Sequence, residues 1–146
     1  MAHSRGGVLH LSNSDINVKG SIFTGNAALI QDGGVVDASD SRLIFTDCTF
    51  SNNSAGRDGG CFDASDCIFI TDNRIFTGNS ALNRNGGVID VLHNCVTVDH
   101  CTFGSNAARL DGGVIKAADS TINITTSMFS RNTYLIMAVY CTVTQA

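Results

Sequence analysis

The sequence predicts an all-β fold, a right-handed single-stranded parallel β-helix of about five coils with 26–27 residues in each coil. Three observations predict it: a glycine pair recurs along the chain, a Phe-x-x-Asn motif recurs with it, and the segments between them alternate apolar and polar residues. Since one repeat covers almost the whole chain, we expect residues 1–146 to form a single β-helix domain. Stacked coils lie about 4.8 Å apart, so five coils make a solenoid roughly 24 Å long.

The glycine pairs set the period of the repeat. Its length alternates between two values that differ by one residue, and the coils start near residues 6, 33, 59, 86 and 112. The offset from the first glycine of a coil to its phenylalanine, such as from Gly6 to Phe23, is the same in every coil. The one-residue difference therefore falls between the asparagine and the next glycine pair, where we expect a loop that tolerates insertion.

The segments inside each repeat are predicted to be strands. Apolar pairs follow the glycines, and further along the coil β-branched residues alternate with polar ones, which is typical of half-buried strands. The alternating segments are Ile16-x-Val18, Leu43-x-Phe45, Val96-x-Val98 and Ile122-x-Ile124.

Aligned coils place like residues in columns. We expect the phenylalanines to stack in the core, and the asparagines to form a ladder at a turn, with left-handed backbone there and amides bonded to one another and to backbone groups. The glycine pair suits a sharp corner or a close approach of two backbones. The predicted structural columns are Phe23, Phe50, Phe76, Phe103 and Phe129, and Asn26, Asn53, Asn79, Asn106 and Asn132.

The two ends of the repeat lack an evident cap. By the period, a sixth glycine pair falls at Ala138-Val139, where both glycines are lost, so residues 138–146 are predicted to be a partial terminal coil. The surrounding stretch, residues 134–143, is the most apolar of the chain and predicts either an apolar lid or a half-coil that awaits a partner. The solenoid is therefore expected either to continue into flanking coils of a longer chain or to stack end to end with itself.

Composition argues against several classes of function. The net charge is −4 and only 15% of the residues are charged, which does not suggest a nucleic-acid-binding surface. A membrane-spanning helix needs about 20 mostly apolar residues, and no apolar run approaches that length, so none is expected. The polar N-terminal segment does not resemble a signal-peptide core. No phosphate-binding loop or nucleophile elbow is present, and we expect no cofactor.

One column of the alignment contains a candidate acidic stripe, Asp37, Asp63 and Asp90, between His10 and Lys116. Stacked carboxylates could bind a cation or act on a carbohydrate. The alternative is a solvated stripe that the lysine partly neutralises. Two further acidic columns exist because Asp and Asn suit turns, so none stands out as a site. One contains Asn13, Asp40, Asp66, His93 and Asp119, and the other, just before the glycines, contains Asp32, Asp58, Asn85 and Asp111. We therefore predict no catalytic, cofactor-binding or metal-binding residue and no enzymatic activity.

Histidines and cysteines give little further chemistry. His93, Cys95, His100 and Cys101 lie in one coil, but their spacing fits no standard zinc site and strand alternation divides them between faces. Cys67 lies one coil and one column from Cys95, which allows a disulfide between them.

The iterated segments resemble the repeat of the chlamydial polymorphic outer membrane proteins. FTGNAALIQDGGVVDAS and FGSNAARLDGGVIKAA are similar to that repeat in full, and the resemblance covers residues 6–137. It implies a surface-exposed β-helix that works in adhesion and is exported as an autotransporter.

The sequence thus predicts a structural or adhesive solenoid at the cell surface or outside the cell. Its expected partners are itself, through coil stacking, or flanking coils, together with a glycan or a host surface protein. Two alternatives remain open: a carbohydrate-active lyase or hydrolase that uses the acidic stripe, and a binding module for glycans or host proteins.

Overall fold

A computed structural model describes residues 5–134, 136–139 and 142–145, with only the backbone described for 137–139 and 142–145. Each of the first four coils contains four strands. Coil 1 consists of β1 (Leu9–Ser12), β2 (Asp15–Lys19), β3 (Ile22–Thr24) and β4 (Ala27–Ala28). Coil 2 consists of β5 (Val36–Ser39), β6 (Arg42–Thr46), β7 (Thr49–Ser51) and β8 (Ser54–Ala55). Coil 3 consists of β9 (Phe62–Ser65), β10 (Ile68–Asp72), β11 (Ile75–Thr77) and β12 (Ser80–Ala81).

The chain continues in the same way. Coil 4 consists of β13 (Ile89–Leu92), β14 (Cys95–Asp99), β15 (Thr102–Gly104) and β16 (Ala107–Ala108). Coil 5 consists of β17 (Ile115–Ala118), β18 (Thr121–Thr125) and β19 (Met128–Ser130), and a partial coil adds β20 (Ile136–Val139) and β21 (Thr142–Gln145).

Equivalent strands of successive coils pair in parallel and build four sheets. The first sheet has the order β1-β5-β9-β13-β17-β20, the second β2-β6-β10-β14-β18-β21, the third β19-β15-β11-β7-β3 and the fourth β16-β12-β8-β4. The parallel coils confirm the predicted all-β solenoid. Register is kept from coil 1 to coil 5, so the extra residue of each longer coil lies in the exposed loop before the glycine pair, as the sequence predicts.

The core is filled by the inward side chains of the first three sheets. The predicted phenylalanine column forms: neighbouring rings of Phe23, Phe50, Phe76, Phe103 and Phe129 stack with centroids 4.8–5.1 Å apart and planes within 11°. Three further rings, those of Phe45, Phe62 and Phe69, form a second aromatic group. They contact one another and the phenylalanine column in edge-on or tilted arrangements. Burial of these rings contributes a large apolar area to the core.

The predicted asparagine ladder also forms, at the corner between the third and fourth sheets. The Oδ1 of Asn79 accepts hydrogen bonds from the backbone N–H and the Nδ2 of Asn53, each at 3.0 Å. Its own Nδ2 donates to Asn106 Oδ1 and to the carbonyl oxygen of Phe50, each at 3.0 Å. The left-handed residue of this corner is the one before each asparagine, such as Gly78 (φ 65°), rather than the asparagine itself, which corrects the sequence expectation.

The glycine pair combines both expected roles. Gly59 has φ 62°, in the left-handed region that glycine enters without strain. A Cβ on Gly60 would lie 2.1 Å from the carbonyl oxygen of Gly87 in the next coil, so the second glycine is required by close approach. Coils can therefore stack at strand spacing along this edge.

The other two corners use serine and cysteine. At the first corner, between the first and second sheets, the backbone N–H of Ser41 donates to Cys67 Sγ at 3.4 Å, and that of Cys67 donates to Asn94 Oδ1 at 2.8 Å. The second corner, between the second and third sheets, repeats the arrangement, for example from Cys101 N–H to Ser127 Oγ at 3.1 Å. At these corners a side chain of the next coil therefore accepts the backbone N–H in most coils, Arg74 being an exception.

The last coil departs from the predicted period. Ile89 pairs with Ile115 after a full period, whereas Ile115 pairs with Ile136, well short of one. Ala138 consequently lies opposite Ala117 in the first sheet, and the expected sixth glycine position at Ala138-Val139 is wrong. The reason is a short connection after Asn132, since the described residues of coil 5 contribute no strand to the fourth sheet. Within the predicted terminal coil and apolar stretch, residues 135, 140, 141 and 146 lie outside the described residues.

Candidate functional site

The residue alignment places the acidic stripe on the outward side of the first sheet. Register pairs His10 with Asp37, Asp37 with Asp63, Asp63 with Asp90 and Asp90 with Lys116. The residues next along each strand, such as Ala64, point into the core, because side chains alternate along a strand. We call His10, Asp37, Asp63, Asp90 and Lys116 the Asp column.

The loops before the glycine pairs form a second wall beside this column. Asp32 and Asp58 lie in these loops, and together with the Asp column they line a groove of about 380 Å³ that runs along the solenoid. The groove buries Asp37 and Asp90, which are only 8% and 6% exposed. The solvated stripe that the sequence offered as an alternative is therefore a shielded acidic groove over much of its length.

The loop carboxylates have structural partners. Asp32 Oδ1 accepts the backbone N–H of Asp58 at 3.1 Å, and Asp58 Oδ1 accepts that of Asn85 at 2.9 Å. Their charges face Arg57 (3.7 Å from Asp32) and Arg84 (3.7 Å from Asp58). This wall explains the predicted acidic column before the glycines: its side chains link one loop to the next.

The ion-pair partners of the Asp column lie at its two ends. The Asp37 Oδ2 lies 3.7 Å from Arg5 Nε and 3.5 Å from His10 Nδ1, and Lys116 Nζ lies 3.4 Å from Asp90 Oδ1. Within residues 5–134, no ion pair reaches Asp63, the middle carboxyl group of the column.

Burial and mutual repulsion raise the pKa values in this groove. Desolvation, reinforced by the charge of Asp90, raises the pKa of Asp63 from 3.8 to about 8. Desolvation also raises the pKa of Asp90, to about 7, although Lys116 opposes the shift, and it raises the pKa of Asp37 against the effect of His10. Near neutral pH the column therefore contains a protonated carboxyl group beside carboxyl groups that can ionise, which is the combination that general acid–base chemistry uses.

The acidic stripe does not gather its oxygens around one point. In the described part of the chain, the one group of three His, Cys, Asp or Glu side chains whose ligand atoms all lie within 4.8 Å of one another is Asp72, Asp99 and His100. This group was not predicted from the sequence. A signal existed, since Asp72 and Asp99 are one period apart and therefore adjacent in register, with His100 next in the chain.

The remaining acidic column is a turn. Asn13, Asp40, Asp66, His93 and Asp119 all have positive φ, between 47° and 56°, at the corner after the first sheet. Asn and Asp tolerate this conformation better than most residues, which explains their recurrence.

The histidine and cysteine residues considered for zinc are separated. Cys101 is buried at the second corner, whereas Cys95 is exposed on the second sheet. Cys67 and Cys95 are both free, so the disulfide that the sequence allowed is not formed. The thiol of Cys67 points inward and donates to the carbonyl oxygen of Ser65 at 3.1 Å, away from the exposed face that carries Cys95.

Arg74, which is 2% exposed at the second corner, was also not predicted from the sequence. Its Nε donates to the Asp72 carbonyl oxygen at 3.0 Å and its guanidinium lies 5.5 Å from the ring centroid of Phe45. The two terminal nitrogens have no hydrogen-bond partner among the described residues.

Comparison with known proteins bears on the fold. A family model described as a right-handed β-helix region matches residues 1–142. No curated protein matches the chain, and no solved structure matches it. Among the described residues, no helix is long and apolar enough to cross a membrane.

Proposed function

Because the chain belongs to the right-handed β-helix family, we propose that it is a structural or adhesive solenoid, acting at the cell surface or outside the cell, whose outer coils pair with further β-helical coils. The observation that carries this proposal is the state of coil 1. The inward apolar residues of its first three strands are only partly buried, whereas the equivalent residues of coils 2–4 form the closed core.

The contrast is clear along the phenylalanine column, which lies in the third sheet. Phe50, Phe76 and Phe103 are fully buried, whereas Phe23 is only half-buried because no ring of the described residues stacks on its outer face. Apolar side chains left in this state favour coverage by another layer. A further coil would bury them and continue the phenylalanine column.

The backbone of coil 1 is equally suited to extension. In a parallel pair, alternate residues bond to opposite neighbours. The N–H of Arg42 donates to Ser14 O at 2.9 Å, so Ile16 and Val18 bond to β6. The N–H and C=O of Asn17 therefore point away from β6, where an added strand would pair.

Stacking is tested with Asn17→Pro, which removes the outward N–H and leaves the bonds to β6 intact. Asn17→Ala is the matched control, because it changes the side chain and keeps the donor. We expect the parent chain and Asn17→Ala to form larger species as concentration rises, and Asn17→Pro to remain monomeric in sedimentation velocity. Electron microscopy should show rods lengthened along the solenoid axis. A parent chain that stays monomeric at every concentration would refute self-stacking.

A second candidate function rests on the acidic groove. A carboxyl group with a pKa of about 8, Asp63, beside one with a pKa of about 7, Asp90, could supply the acid and base of a polysaccharide hydrolase or lyase. The groove follows the solenoid axis and therefore suits an extended chain.

This candidate is tested on a broad panel of polysaccharides with the parent chain and Asp63→Asn. Asp40→Asn is the matched control, since Asp40 is exposed at the adjacent turn and lies outside the groove. Turnover that Asp63→Asn abolishes and Asp40→Asn retains would favour the enzyme over the scaffold. Binding without turnover, on a glycan array or on cells, would favour the adhesive role.

A further inference from the structure

We infer that Asp72, Asp99 and His100 form a binding site for a first-row divalent transition metal, with Zn²⁺ the ion of choice. The three residues lie at the corner after the second sheet, where β10 and β14 end side by side. The site is separate from the acidic groove, which lies along the first sheet.

Two of the three distances between donor atoms lie close to those around a tetrahedral ion, and the three ligand atoms all lie within 4.8 Å of one another. Zinc–nitrogen and zinc–oxygen bonds of about 2.0–2.2 Å place tetrahedral donor atoms about 3.3–3.6 Å apart. In this structure His100 Nδ1 lies 3.0 Å from Asp99 Oδ2 and 3.6 Å from Asp72 Oδ1. Small side-chain movements therefore suffice to seat an ion between the three groups.

Two hydrogen bonds to one oxygen of the Asp99 carboxylate fix its orientation. Asp99 Oδ1 accepts hydrogen bonds from Thr125 Oγ1 at 2.5 Å and from the backbone N–H of His100 at 2.9 Å. These bonds direct the other oxygen, Oδ2, toward the imidazole. Such outer partners commonly orient metal ligands and strengthen binding.

The donor set indicates the class of ion. Calcium and magnesium prefer oxygen-only sites, whereas an imidazole nitrogen with carboxylates suits zinc and its first-row neighbours. All three side chains are accessible to solvent, with exposed fractions of 36–59%. An ion can therefore enter without opening the fold, and water can complete its coordination.

The same coil contains an internal comparison, His93. Like His100, His93 has a positive φ and lies between two carboxylates. Its Nδ1, however, faces Asp66 at 3.5 Å, whereas its Nε2 faces Asp119 at 3.8 Å. The two carboxylates thus lie on opposite sides of the ring, and no single point is within reach of all three groups. An exposed His flanked by Asp is therefore not enough, and His93 should not bind the ion.

The test is calorimetric titration with ZnCl₂ in a background with Cys95 and Cys141 changed to serine, because a thiolate ligand elsewhere in the chain would compete. We expect one saturable site, at least about tenfold weaker in His100→Asn and Asp72→Asn, about tenfold weaker in Thr125→Val, and unchanged in His93→Asn. Asparagine preserves the positive φ at both histidine positions, so the two histidine variants are matched.

Two further readouts separate a site from surface attraction. In NMR spectra, ZnCl₂ should shift the ring signals of His100 and leave those of His93 in place. Excess CaCl₂ or MgCl₂ should not displace the zinc. Absence of saturable binding, or equal losses in His93→Asn and His100→Asn, would overturn the inference.

Discussion

Two columns of like polar residues run along this solenoid with the same one-coil spacing, and they behave in opposite ways. The asparagine ladder is sealed in the core, and each inner amide is bonded both to the coil before and to the coil after. In the Asp column of the groove, Asp63 has no cation beside it in the described chain, and its neighbours raise its pKa further. One column stabilises the stack, and the other opposes it.

The difference lies in self-complementarity. Stacking in register makes each side chain's neighbours the equivalent residues of adjacent coils. An amide has donors and acceptors and can bond to its own kind, whereas an ionised carboxylate has only acceptors. The Asp column is therefore tolerable only because His10 and Lys116 lie at its ends and because its middle carboxyl group holds its proton.

The largest effect should come from making the ladder resemble the Asp column. Asn79→Asp keeps the acceptor for Asn53 but replaces the donor to Asn106 and to Phe50 O with a second oxygen, fully buried. We expect a loss of about 3–5 kcal/mol in the free energy of unfolding at pH 8. Urea denaturation measures it. The matched control is Asn132→Asp at the half-buried end of the ladder, where the loss should be clearly smaller.

At the second corner, Arg74 is the member of a serine and cysteine column that cannot accept a hydrogen bond from the preceding coil. At its corner, Cys101 and Ser127 each donate to the carbonyl oxygen two positions earlier, and Arg74 does the same through Nε. A guanidinium cannot accept the N–H of Cys48, however, and burial lowers its pKa, although the Cys48 thiol favours the charged form.

Arg74→Ser should therefore stabilise the fold by about 1–3 kcal/mol, since it removes unpaired buried donors and restores the acceptor. Arg74→Met is the control for volume, because it removes the charge without supplying an acceptor. A fall in thermal midpoint for Arg74→Ser would show that the buried volume of the side chain and its contact with the Phe45 ring outweigh its unpaired donors.

The Asp column can be made more like the ladder by Asp63→Asn. The folded-state pKa of about 8 exceeds the ordinary value of 3.8, so the folded chain holds a proton that the unfolded chain releases. The stabilisation that this proton provides is fully present below about pH 4 and is lost as pH rises through about 8. Unfolding of the parent chain should therefore become easier between pH 5 and pH 9.

Asp63→Asn should flatten that dependence and raise the free energy of unfolding at pH 9 by on the order of 1–2 kcal/mol. Denaturation at a series of pH values measures the slope. Asp40→Asn, at an exposed turn, should keep the slope of the parent chain. A parent profile that rises from pH 5 to pH 9 would contradict the raised pKa.

Most of the fold could be predicted from sequence because the repeat constrains it at every coil. The invariant phenylalanine offset fixed the register, and the paired glycines marked a corner with positive φ at the first and close approach at the second. The position of the terminal coil was not predicted correctly, because the period changes after Asn132, where no glycine marks the corner.

The candidate sites were less predictable, because they depend on the directions of side chains and loops. An alignment of the coils in columns does not contain these directions. The alignment placed Asp37, Asp63 and Asp90 together, but their burial arises from loops that fold beside them. His100 approaches Asp72 and Asp99 across a corner, from a neighbouring column. Arg74 in a serine and cysteine column resembles a surface residue until its inward direction is known.

The smallest predicted effect concerns Cys67, at the first corner. Its Sγ accepts the N–H of Ser41 and donates to the carbonyl oxygen of Ser65. Ser41 makes the equivalent donation to Ser39 O. Cys67→Ser keeps both bonds and should change the free energy of unfolding by less than about 0.5 kcal/mol, whereas Cys67→Val removes both and should lower it by about 1–2 kcal/mol. Equal stability of the two variants in urea denaturation would mean that this corner needs volume rather than an acceptor, and that the requirement for complementary polar groups is confined to the asparagine ladder.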